Sequence, residues 1–70
     1  MKPAEFVEAC LNISLCDGVK IWVNKSYLLF KTDRHKFITL CNEAVGRGSS
    51  KTNIVYYLPI IFDRYQKEEE

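Results

Sequence analysis

Long apolar runs are missing from this 70-residue chain: the longest, Ile54 to Phe62, is interrupted by Pro59. A bilayer-spanning helix needs about 20 apolar residues in succession, so no membrane segment is expected. Charge of one sign is also short, with ten Lys and Arg against nine Asp and Glu, a net +1. No internal repeat or low-complexity tract occurs, which sets solenoid architectures aside.

Cysteine is sparse and odd in number: Cys10, Cys16 and Cys41. Three thiols make a poor disulfide framework, and Glu5 and Glu8 break up the apolar stretch that an N-terminal secretion signal needs. Both features point to a reducing cytoplasm, where the sequons Asn12-Ile13-Ser14 and Asn24-Lys25-Ser26 are accidental. A metal would have to use these cysteines and His35, the single histidine, yet their spacing lacks the close C-x2 to 4-C pairs of structural zinc sites. Cys10 and Cys41 read instead as small hydrophobes on helical stripes, and no metal or other cofactor is expected.

Catalysis requires a convergent nucleophile, base and orienting group, or paired carboxylates in a cleft. The sequence offers one histidine and scattered acids, and a chain this short leaves little room for a pocket of several hundred cubic ångströms. No catalytic residue, no small-molecule substrate and no enzymatic activity are therefore expected.

What is present suits a small globular domain: 47% hydrophobic and 13% aromatic residues. At this size folding hides only about 60% of the surface of the unfolded chain, and small cores commonly need a disulfide, a metal or a second subunit. The charges are unevenly placed. Residues 18–52 hold seven basic and two acidic side chains, a net +5, whereas residues 1–17 and 53–70 carry −2 each. A basic middle of this kind can attract nucleic acid or an acidic protein surface.

The periodicities predict a single α+β domain. Pro3 suits the first turn of a helix, and Phe6, Val7, Cys10 and Leu11 recur at the helical spacing, giving a helix from about Pro3 to Ile13. Asp17-Gly18 reads as a turn, after which VKIWV and SYLLFKT read as the strands of a β-hairpin joined through Asn24-Lys25. Pairing across that loop puts Val19, Ile21, Val23, Leu28 and Phe30 on one face and Lys20, Trp22, Tyr27, Leu29 and Lys31 on the other. Asp33 is a good N-cap for a second helix, Arg34 to Val45, with Gly46 as its C′ residue. The last segment reads as a helix kinked at Pro59, with Ile54, Leu58, Ile61, Phe62 and Tyr65 as its stripe. The alternative is a strand over 53–58 followed by a short helix. The acidic residues 68–70 oppose the helix dipole and are expected to fray.

The stretch VGRGSSKT, residues 45–52, looks like a phosphate-binding loop but is not one. Aligned on its final Lys-Thr, Val45 and Ser50 fall where the two glycines of such a loop must be. It also follows a helix rather than a buried strand. It reads as a helix end and a connector, with Arg47 and Lys51 as plausible anion contacts.

Two surfaces remain as candidates. The last segment has more apolar residues than one helical face can hide, which nominates Tyr56, Tyr57, Ile60 and Phe62 as a protein interface, either with another protein or in a homo-oligomer. The outer hairpin face nominates Lys20, Trp22, Lys25, Tyr27 and Lys31, together with Arg47 and Lys51, as a platform for single-stranded nucleic acid. The first makes the chain a small regulatory or adaptor-type protein; the second makes it a nucleic-acid module.

Overall fold

A computed structural model of the chain describes residues 2–49 and 51–69, with Glu69 by its backbone alone. Five helices follow one another: α1 (Pro3–Leu11), α2 (Asp17–Thr32), α3 (Arg34–Gly46), the single turn α4 (Thr52–Val55) and α5 (Leu58–Glu69). No strand occurs among the described residues. The expected α+β class is thereby corrected to an all-helical one.

The correction lies in α2, which replaces the hairpin. Its buried residues Val19, Val23, Ser26, Tyr27 and Phe30 fall within an arc of roughly 100° at the helical rotation per residue. The strand-like alternation drew on Ile21 and Leu28, which project from the opposite side and are 57% and 60% exposed. Ser26 can lie in this stripe because its hydroxyl donates to the Trp22 carbonyl at 2.8 Å, so burial leaves it satisfied. Asp17-Gly18 is the first turn of this helix, where the acid meets the positive end of the dipole. Asn24 does not turn the chain. Its Oδ1 accepts the Ala4 backbone N–H at 3.1 Å, which fastens the start of α1 to the middle of α2.

At the first residue of α1 Pro3 loses nothing by lacking an N–H, and the Glu5 carboxylate accepts from the Lys2 backbone at 3.4 Å. The helix ends before Ile13 because Asn12 adopts a left-handed φ of 56°, a conformation that asparagine tolerates and that closes a helix. Cys10 faces solvent rather than the core.

In α3 the expected cap is found, with Asp33 accepting from the Lys36 N–H at 3.2 Å. Phe37 and Ala44 are buried on the stripe, flanked by half-buried Cys41 and Val45. The C′ residue is Gly48, not Gly46. Gly48 has φ 62°, its N–H reaches the Val45 carbonyl at 3.1 Å, and the Ser49 N–H reaches the Ala44 carbonyl at 3.3 Å. These are the paired bonds of a Schellman ending.

The last segment is helical, as preferred, but it breaks rather than kinks. Tyr56 and Tyr57 separate α4 from α5, so Pro59 falls in the first turn of α5, where no backbone donor is needed. Ile54, Leu58, Ile61, Phe62 and Tyr65 are all buried. The helix runs as far as Glu69, and Glu70 lies outside the described residues.

The core is aromatic. The Phe62 ring lies 5.1 Å from that of Tyr27, 5.4 Å from Phe30 and 6.0 Å from Phe37, centroid to centroid. Tyr65 continues the cluster to Phe6 at 5.3 Å. Rings from all four longer helices thus join in one connected cluster, each edge-to-face or tilted pair adding about 0.5–1.5 kcal/mol beyond its buried area.

Candidate contact surface and clefts

The elbow between α4 and α5 sets the first surface. Leu58, Ile61 and Phe62 turn inward, and two helical bonds, from the Tyr57 N–H to Ile54 and from the Ile61 N–H to Tyr57, both 3.0 Å, fix the bend. The residues that cannot follow them inward are Tyr56, Tyr57 and Ile60, 65%, 52% and 63% exposed. Phe62 belongs to the core, fully buried, and is removed from the proposed interface. Other large apolar side chains stand out singly: Ile21 and Leu28 are two turns of α2 apart with Lys25 between them, and Ile38 projects from α3. Among the described residues, only at the elbow do three fall within five positions of one another.

The aromatic platform proposed for nucleic acid does not form. Trp22 and Tyr27, neighbours across a hairpin, are about 140° apart around a helix. Tyr27 is a core residue, in contact with Phe62 and Tyr65. The basic groups are largely engaged by neighbours. The Lys20 ammonium lies 3.4 Å from Glu8, the Lys31 ammonium 5.3 Å from the Tyr27 ring centre, and the Lys51 ammonium 5.3 Å from that of Trp22. Arg34, nominated by no motif, stacks 3.7 Å from the Phe30 ring centre. Lys25 and Arg47 are exposed. Of the nominated residues, Trp22, Arg47 and Lys51 are brought together, around a cleft of about 130 Å³ that also has Glu43 on its wall.

Two larger clefts flank the start of α1, contrary to the expectation that so short a chain has little room for them. One of about 390 Å³ is bordered by Lys2, Pro3, Tyr27, Leu28, Lys31 and Tyr65; the other, of about 420 Å³, by Lys2, Glu5, Asp17, Lys20 and Ile21. Asn24 stands between them and borders both. Sequence reasoning missed them because they depend on α1 lying against a helix over residues 17–32, where a hairpin was expected.

The Leu15 amide, donating to Glu8 Oε1 at 2.9 Å, holds the Glu8 carboxyl below the ordinary glutamate value, assisted by the Lys20 ammonium. Burial pushes the Cys41 thiol up. Cys10 and Cys16 are exposed and free, and no group of three or more His, Cys, Asp or Glu side chains placed to hold a metal occurs among the described residues. Nor is any helix among them long and apolar enough to cross a membrane.

No protein-family model, no curated protein and no solved structure matches this chain.

Proposed function

We propose that this is a small non-enzymatic regulatory or adaptor-type protein that works by protein contact through the α4–α5 elbow and associates with itself there. The observation that carries this reading is that a segment burying its other large hydrophobic side chains, Ile54, Val55, Leu58, Ile61, Phe62 and Tyr65, leaves Tyr56, Tyr57 and Ile60 jointly exposed. Together they present roughly 300–400 Å² of largely apolar surface, the size at which a patch on a small protein is often functional. A standard interface covers about 800 Å² per partner. The elbow supplies about half of that, so the contact must extend onto flanking polar residues such as Asn53 and Arg64, and the self-association should be weak. The nucleic-acid reading retains Trp22, Arg47 and Lys51 but has lost Tyr27 to the core, and with it the stacking surface on which it rested.

Sedimentation velocity across a hundredfold concentration range tests the proposal. The wild type should gain mass with concentration, and Ile60→Asp, which places a charge on an already exposed site, should remain at 8.2 kDa with unchanged helix content. Equal behaviour of the two proteins would remove self-association through the elbow.

A further inference from the structure

The three clefts differ in one respect that decides what each could hold. In the cleft of about 420 Å³ the acids Glu5 and Asp17 face Lys2 and Lys20, and Lys20 is already paired with Glu8. In the smallest, Glu43 stands with Arg47 and Lys51. The cleft of about 390 Å³ has two ammonium groups, Lys2 and Lys31, and no carboxylate on its described walls. Neither ammonium has a carboxylate within salt-bridge distance among the described residues; Lys31 leans only on the Tyr27 ring. The rest of the wall is Pro3, Asn24, Leu28, which is 60% exposed, and the rings of Tyr27 and Tyr65. Of α1 only its first residue, Pro3, borders this space.

Two cations with no salt-bridge partner among the described residues, beside a largely apolar wall and in a volume within the range of small-ligand sites, define a recognisable chemistry. We propose that this cleft binds a small organic carboxylate with an apolar body, the acid group paired with Lys2 and Lys31 and the body lying on Pro3 and Leu28. Charge selects the ligand here: an uncharged analogue of the same shape keeps the contact with Leu28 but leaves both ammonium groups as they were. A doubly charged, strongly hydrated anion such as sulfate gains nothing from the apolar wall. The site is distinct from the elbow, since no residue from Tyr56 to Ile60 borders it.

The test is a titration of the full chain, followed by backbone amide NMR, with 4-phenylbutyrate and separately with 4-phenylbutan-1-ol. The carboxylate should saturate shifts centred on Leu28, Lys31 and Tyr65, with the alcohol at least about tenfold weaker, the loss expected when a charge-assisted contact is removed. Lys31→Gln and Lys2→Gln should each weaken the carboxylate by about tenfold and leave the alcohol unchanged. Lys25→Gln, on the same helix but off the cleft, should change neither. Equal affinity for acid and alcohol, shifts centred on the elbow instead, equal effects of Lys25→Gln and Lys31→Gln, or no saturation at millimolar carboxylate would each overturn the proposal. Lys2, Lys25 and Lys31 are all solvent-exposed, so the variants should fold, and an unchanged amide spectrum before titration verifies it.

Discussion

Replacing Lys25 with glycine separates a helix from a hairpin by the sign of its effect. In a two-residue hairpin loop the change would convert Asn-Lys into Asn-Gly, the most favourable type I′ pair, and stability would rise or hold. In the structure Lys25 sits midway along α2, exposed, with no ion pair or side-chain hydrogen bond to lose among the described residues. What changes is the backbone alone: glycine in an exposed helix interior costs about 0.7 kcal/mol relative to lysine, through the freedom it gives the unfolded chain. For a domain of 60–100 residues about 1 kcal/mol moves the melting temperature by 4–8 °C, so the expected fall is about 3–5 °C. Thermal and urea unfolding followed by far-ultraviolet circular dichroism measure it. A melting temperature equal to or above that of the wild type would refute the helical assignment of residues 17–32.

Other outcomes follow from particular contacts. Gly48→Ala should destabilise by about 1 kcal/mol because φ is 62° there, whereas Gly46→Ala, in open space at the last residue of α3, should stabilise by about 0.5 kcal/mol; chemical denaturation of the pair checks the sign. Glu8 has a lowered folded-state pKa, so its stabilising effect is present above the unfolded value and is lost as pH falls through the folded one. Glu8→Gln should therefore flatten the acid limb of a stability–pH curve between those two values and leave its alkaline side unchanged. Cys41, half-buried with its thiol pKa raised, should react with a thiol reagent well after the exposed Cys10 and Cys16, a difference visible by mass spectrometry of peptides after partial labelling.

Much of the molecule could be read from local signals. Pro3 marked the start of α1, Asp33 capped α3, and the spacing of Ile54, Leu58, Ile61, Phe62 and Tyr65 announced a helical face. These are features settled within a turn or two of chain. α2 was misread because Val19, Val23 and Phe30 share a face both when paired across a hairpin and at a period of 3.6, and β-branched and aromatic content favours strands. Two signals pointed the other way: no glycine or proline occurs between Gly18 and Gly46, and Asn24-Lys25 is a weak hairpin loop. That single error carried through to the site. It placed Tyr27 on a surface that does not exist and hid the clefts that α1 makes with α2. The exposure of Tyr56, Tyr57 and Ile60 was legible as a surplus of apolar residues over one helical face, whereas Phe62 shares the inward stripe of Ile54, Leu58, Ile61 and Tyr65, a periodicity that argues against its place in the interface.

The claim that the elbow is the contact surface is tested most directly by the amide and methyl NMR shifts of the wild-type protein on concentration from tens of micromolar to a millimolar. Shifts confined to Tyr56, Tyr57, Ile60 and their neighbours Asn53 and Arg64 are predicted. Shifts centred instead on Ile21, Leu28 or Ile38, or a spectrum unchanged across that range, would contradict it.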